Sequence, residues 1–394
     1  MVSKVLDYAK RLGYLNSFLL LCFLLNFFSI GFIFGYLLII TILLKKDFVK
    51  QNLDFNLLIL LIFSIVYALF YSNDPAKGVQ YIFIYALMPA TLYMWGKQLV
   101  QNSKDTAQLF YVLLGFGIII SSASLISVLL NIQEGGFVQG SRSVPFFWTK
   151  KLTNATGVAA PFVLNMCIPA ILLSSPKRLS LWMKIALAII FGLTLVCVLR
   201  LGSRTQLVIA MFTFLVALVY MVPKHSLKQN VTLLFLLLAC IFLVYRNVSF
   251  NWDADWLSSF AGRMDNNGTN DVASGGGRTG RWFKSMQYII EKPLGWDVKE
   301  FGYSHNLWFD VLRLGTVISF FLLVFFTIRS MFQIKHVKTI APADTSFNVI
   351  TLVYFIAFML LFMVEPIIDG SFYIFVFFCL FMGIINKYNT SPRT

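Results

Sequence analysis

The amino-acid sequence describes an all-α, polytopic membrane protein of about 12 transmembrane helices, with a folded, partly helical outer loop between helices 9 and 10. Three features carry that expectation. Apolar residues fill 58% of the 394 positions, and mean hydropathy is +0.78, against about 45–50% apolar residues in soluble domains. Those residues come in runs near the roughly 20 needed to cross a bilayer. Lys and Arg, which leave the chain with a net charge of +15, concentrate in alternate segments between runs, as the positive-inside rule requires.

Taken in order, the first apolar run extends from Tyr14 to Leu44. It follows Lys4, Lys10 and Arg11, is too long for the core of a cleavable signal and lacks a small-residue cleavage site, so it is expected to remain as an anchor. One helix is too few for it, and Ser29 and Gly31 offer a break. Further spans are predicted at about 55–72, 78–96, 107–131, 156–174, 180–199, 203–222, 230–246, 306–328, 346–365 and 370–386. With the N-terminus inside and the first run split, the inner segments hold 18 of the 32 bases but 5 of the 17 acids, a net +13. A single first helix would spoil that alternation. Residues 1–246 then carry helices 1–9, residues 247–304 the large outer loop, and residues 305–394 helices 10–12 with a cytoplasmic tail.

The basic balance therefore reflects topology. Its bases are spread thinly over short segments with no basic stripe, which argues against nucleic acid as a partner. The five cysteines, Cys22, Cys167, Cys197, Cys240 and Cys379, lie inside apolar runs without metal-ligand spacing and read as small hydrophobes. No pattern indicates a nucleotide site, a zinc site or a Ser-His-Asp triad. Asp253-Ala-Asp255 is the one paired-carboxylate candidate, and no cofactor or metal is expected.

Chemistry-bearing residues gather at the outer ends of the spans. One outer segment, from Asn131 to Ala155, contains Arg142, and the turn after the seventh span reads Arg200-Leu-Gly-Ser203-Arg204-Thr205. Arg200 has the position of a snorkelling interfacial arginine, whereas Arg204, among Ser and Thr, has that of an inward-facing charge. In the large loop, Asp265–Asp271 is rich in turn formers and is expected to be mobile. From Arg278 to about Ile290 the pattern predicts an amphipathic helix ended by Pro293, with Arg278, Arg281, Trp282 and Ser285 on one face. Glycines before a helix start and two guanidinium groups suit a diphosphate; an interfacial helix meeting lipid headgroups fits the same residues. His305 opens the following helix, with Asn306, Asp310 and Arg313 on its polar stripe. An imidazole there suits proton transfer or serves as a cap. Glu365, Pro366, Asp369 and Gly370 close the last outer turn, adding a carboxylate or simply turning the chain.

Together these residues resemble the bacterial O-antigen polymerase and O-antigen ligase superfamily. Gly202-Ser-Arg204 looks like its Ser-Arg element, Arg278-x-x-x-Trp282 like its Arg-x-x-x-Trp element, Pro293-Leu-Gly295 like the following turn, and Ser304-His305-Asn306…Leu314-Gly315 like its His-Asn…Gly element. The likeness covers about residues 190–385; the N-terminal half agrees only in hydropathy, with Asn154 to Pro169 a weak echo. The resemblance implies a metal-independent, inverting glycosyltransferase of the bacterial inner membrane, with both termini cytoplasmic and its site facing the periplasm. The donor would be an undecaprenyl-diphosphate-linked oligosaccharide. The acceptor would be a lipid-linked glycan in a polymerase, or lipid A core in a ligase; Ser-His-Asn-Leu-Trp-Phe-Asp and the late Glu365-Pro turn lean towards the polymerase type. Membrane lipids and a chain-length regulator complete the partners considered. On this reading His305, Arg278 and Arg204 are catalytic: the arginines hold the diphosphate and His305 accepts or positions the acceptor hydroxyl. Arg281, Arg142, Asn306 and Trp282 bind substrate, and aromatic rings of the loop stack on sugars. A lipid-linked oligosaccharide transporter is the reading from a different class, with Pro89, Pro161 and Pro169 as candidate helix breaks.

Overall fold

A computed structural model describes residues 2–73, 75, 77–175, 178–247, 254–259, 277–340 and 342–391. They form helices almost throughout: α1 (Val2–Leu12), α2 (Tyr14–Leu24), α3 (Gly31–Leu43), α4 (Lys46–Asn52), α5 (Phe55–Tyr71), α6 (Gln80–Gln101) and α7 (Thr106–Gly135). A two-residue ladder pairs β1 (Val144–Pro145) with β2 (Leu152–Thr153), antiparallel. Then come α8 (Ala155–Ala159), α9 (Ile168–Ser174), α10 (Leu181–Leu201), α11 (Arg204–Met221), α12 (Leu227–Asn247) and α13 (Arg278–Glu291). The chain closes with α14 (Leu307–Ile340), α15 (Thr345–Val364), α16 (Ile367–Gly370) and α17 (Phe372–Thr390). The expected mobile stretch Asp265–Asp271 lies outside the described residues.

Six of these helices are long and apolar enough to cross a bilayer, and eight segments qualify if each of two bent pairs is one span. The bent pairs are α4 with α5, at 103°, and residues 155–163 with 165–174, at 44°. Every expected span coincides with helix, but fewer helices qualify: α6, at 22 residues, is long enough yet too polar to be among the six, and others are short. α2 and α3 have 11 and 13 residues, which at about 1.5 Å per residue fall short of a hydrocarbon core of about 30 Å. Between them the chain reverses where expected, through Asn26, Phe28 and Ser29 at positive φ, with Asn26 Oδ1 accepting from Gly31 N–H at 3.0 Å.

Side-chain oxygens fix where several helices begin. Asp54, Asp105, Asn154, Ser180 and Asp344 each accept backbone N–H groups of the first turns of α5, α7, α8, α10 and α15. Packing then follows small residues. α6 and α17 approach so closely at Gly96 and Gly383 that a Cβ on Gly96 would overlap Leu380 O and one on Gly383 would overlap Tyr93 O. α17 is buried nearly throughout, and Phe358, Phe362, Phe375 and Phe378 interlock around it. Outward faces carry exposed Trp182, Ile189, Met211 and Val219, as a lipid-facing surface does.

Polar contacts separate the two ends of the bundle. At one end, Tyr8 of α1 donates to Leu99 O and Arg11 to Gln108. Nearby, Thr106 bonds Asp344, Arg178 pairs with the same carboxylate at 2.9 Å, and Tyr388 packs on Phe347. The N-terminal helix and the end of α17 thus share one end. The opposite end collects the C-termini of α10 and α15 and the starts of α11, α13 and α14. Gly383→Val is expected to destabilise the fold by about 3 kcal/mol, since backbone, not a movable side chain, occupies the space. Gly192→Ala, with open space around its Cβ position, serves as the neutral control in detergent thermal-unfolding scans.

Candidate functional site

The turn between α10 and α11 is the first piece. Gly202 ends α10 in the left-handed region, φ 57°, and a Cβ there would sit 2.6 Å from Ser259 O, so only glycine fits. Two arginines lock this turn to the loop after α7. Arg142 Nε donates to Leu201 O at 2.7 Å and its Nη2 to Gly202 O at 3.4 Å, while Arg200 Nη2 donates to Ser141 O at 3.1 Å. Cations at the carbonyl end of α10 meet the negative pole of the helix. Arg200 does not snorkel to the interface: it is 1% exposed and braces the loop from within. Burial pushes the Arg142 guanidinium down, Glu365 opposes that shift, and Arg204 and Arg200 add to it.

The second piece is α13. Gly277 precedes it at φ 74°, and the predicted face does what its spacing allows. Arg281 Nη1 donates to Tyr303 O at 3.2 Å and Trp282 Nε1 to Ser304 O at 2.9 Å, while Ser285 Oγ lies 2.8 Å from Ser304 Oγ. Arg281 and Trp282 thereby hold the backbone beside His305. Beyond α13, Pro293–Trp296 docks into a break in α14, where Thr316 takes φ 70°, ψ 171°. Trp296 N–H donates to Arg313 O at 3.2 Å, and Val317 N–H to Pro293 O at 2.9 Å, so the groups freed by the break are paired again. Gly295 is required there, because a Cβ would overlap Arg313 O. Trp296 stacks on Phe301 and packs on Tyr288 in a small separate core, so this ring is committed to the cap's interior.

His305 lies on a tight loop, with φ 53°. Asn306 Oδ1 accepts from Trp308 and Phe309 N–H at 3.2 and 3.3 Å, and its Nδ2 donates to Met363 O. Asp310 accepts from Ser304 and Asn306 N–H at 2.8 and 3.2 Å. Both polar residues therefore cap α14 and fix the histidine between them. Burial lowers the His305 pKa to about 4, with the Arg278 and Arg281 charges contributing; the imidazole is neutral at pH 7.

These pieces meet at a cavity of about 50 Å³, room for one small group of phosphoryl size. Arg142, Arg204 and Arg278 line it together with Ala155, Thr156, Ser203, Thr205 and Glu365. Arg204 and Thr205 come from the first turn of α11 and Arg278 from that of α13. Among the described residues Glu365 is the single carboxylate of the lining: Thr205 Oγ1 donates to its Oε1 at 2.9 Å, and Oε2 lies 3.8 Å from Arg278 Nη2. Just beyond it, Arg313 Nη2 pairs with Asp369 Oδ2 at 2.9 Å and ties the 365–370 turn to α14. Among the described residues no three His, Cys, Asp or Glu side chains converge as metal ligands would; Asp253 lies outside them.

Of the seven residues singled out from sequence, Arg142, Arg204 and Arg278 share the cavity. His305 adjoins it through the charge of Arg278, and Arg281, Trp282 and Asn306 build the shell that holds His305. Glu365 was legible only as a turn carboxylate; nothing in sequence ties it to Thr205 or Arg278, which lie 160 and 87 positions away. Compared with known proteins, the chain matches no family model and no curated sequence.

The chain contains three histidines, so ring NMR of His-labelled protein can follow His305. Arg278→Gln or Arg281→Gln is expected to raise its pKa from about 4 towards the ordinary 6.5, because each removes a cation that disfavours imidazolium. The sign for stability follows: the unfolded chain binds this proton near pH 6.5 and the folded one near 4. Acidification across that window therefore favours unfolding. An unmoved His305 signal in both variants would break the electrostatic link between α13 and the histidine.

Proposed function

We propose that this chain is a multi-pass membrane glycosyltransferase of the surface-polysaccharide polymerase type. It passes glycan from an undecaprenyl-diphosphate donor to a sugar hydroxyl of a lipid-linked acceptor. The observation that carries this reading is the convergence of Arg142, Arg204 and Arg278, from three separate segments, on one small cavity at a single end of the bundle. With Glu365 counted, the lining side chains among the described residues keep a net charge of +2. Such a site suits an anion of two or more charges, and guanidinium groups match phosphate oxygens bidentately.

The chemistry asked of it is leaving-group stabilisation. As the anomeric carbon parts from the diphosphate, negative charge grows on the departing oxygen, and preorganised cations in a poorly hydrated site stabilise it. That is work a divalent ion performs in other phosphate sites, and three guanidinium groups supply it in a metal-independent, inverting transfer. His305, neutral and held in place by α13, positions the acceptor hydroxyl. The end opposite the cavity carries Arg11, Lys97, Lys104 and Arg178, a basic end of the kind the positive-inside rule associates with the cytoplasm, and this supports reading it as the cytoplasmic end. On this reading the cavity faces the periplasm, the side of the large outer loop. A transporter of the same lipid-linked sugar is the second reading, favoured by the break at Thr316 and the bend between α8 and α9.

Purified protein in liposomes, given lipid-diphosphate oligosaccharide and chelator, is expected to lengthen the glycan. Translocation without any new glycosidic bond would leave only the transporter. Arg204→Gln and Arg278→Gln are each expected to lower transfer by about 10²–10³-fold and to weaken pyrophosphate binding, while thermal unfolding stays near that of the parent. In cells, a mutant displaying a single repeat on the lipid A core indicates a lost polymerase; lipid-linked polymer left unattached indicates a lost ligase.

A further inference from the structure

We propose that Glu365 is the general base of the transfer, released for that role when the donor diphosphate takes over its arginine. The inference rests on the glycosyltransferase reading above and deepens it. Glu365 sits where the last outer turn leaves α15. Its side chain is about nine-tenths buried, and among the described residues it alone brings a carboxylate to the arginine-lined cavity. Thr205, from the first turn of α11, fixes one oxygen at 2.9 Å, and Arg278 faces the other at 3.8 Å. That second distance is longer than a hydrogen bond, so a phosphate oxygen offering bidentate geometry competes with Glu365 for Arg278.

The step balances. The acceptor hydroxyl oxygen bonds to the anomeric carbon as the bond from that carbon to the diphosphate oxygen breaks, and the electron pair leaves with the diphosphate. The hydroxyl proton passes to a Glu365 oxygen and is later returned to water. Protonation takes the lining from a net +2 to +3 just as the leaving group gains negative charge, so proton transfer and leaving-group stabilisation support one another. His305 fits the base role less well. It is not among the residues lining the cavity, and a proton on it would add a cation beside Arg278 and Arg281. A neutral His305 that aligns the hydroxyl leaves the proton to Glu365.

Glu365→Gln keeps the shape and the acceptor for Thr205 while removing the base and the competitor for Arg278. In reconstituted protein it is expected to slow glycan transfer about 100-fold or more, with inorganic pyrophosphate bound as tightly as by the parent or more so. Transfer within a few-fold of the parent, or loss of pyrophosphate binding together with transfer, overturns the assignment. Should Glu365→Gln yield no folded protein, Glu365→Asp decides. Turnover about tenfold lower with unchanged pyrophosphate affinity supports the base, and unchanged turnover overturns it. A parent protein that binds pyrophosphate yet forms no glycosidic bond sinks the glycosyltransferase reading and this inference with it; a parent that transfers alongside a fully active Glu365→Gln sinks the base alone.

Discussion

Three guanidinium groups around one small cavity repel each other, and this end of the helix bundle is built to hold them there. Glu365 offsets one charge directly. Arg142 is spent partly on Leu201 O and Gly202 O, the negative pole of α10, and Arg200 ties the same loop down through Ser141 O. Each of these partners is a fixed carbonyl or carboxylate, so the positive field is in place before any anion arrives. A site that needs no reorganisation stabilises developing charge more effectively than mobile side chains in water.

Irregular backbone makes that arrangement possible. Gly202 turns the chain so that Arg204 can open α11 beside the end of α10. The break at Thr316 places a non-glycine residue in a region that costs on the order of 1–3 kcal/mol. The turn at Pro293–Trp296 offsets this by pairing Arg313 O and Val317 N–H. The same turn anchors the end of α13, whose other face grips Tyr303 and Ser304. Helix break, turn, amphipathic helix and histidine loop are therefore one mechanical unit. Displacing any part moves Arg278 relative to His305.

Motif and role do not coincide residue by residue. The conspicuous Pro-Leu-Gly turn contributes backbone pairing to α14. Asn306 and Asp310, which read from sequence as members of a polar stripe, spend their polar atoms on capping α14 and on the loop that carries His305. Trp282 bonds the backbone through its indole N–H. What these residues do in the fold is positional: they hold the loop that carries a neutral imidazole within the field of Arg278 and Arg281.

Helix locations, the split of the first apolar run and the amphipathic helix after Gly277 were readable in advance, because hydropathy and periodicity are local properties that lipid and interface enforce segment by segment. The shortness of α2 and α3 was not, nor was the smaller set of six to eight qualifying spans: where α2 stops depends on the left-handed residues between Asn26 and Ser29 and on neighbours packed against it, and bends such as that between α4 and α5 are set by the fold. Arginines at span ends were visible too, but sequence could not say which of Arg142, Arg200 and Arg204 turn towards one another. Only the folded chain decides that, since loop 141–142, α11, α13 and the Glu365 turn come from distant positions, and their meeting is settled by glycine-scale approaches between backbones that no local pattern records.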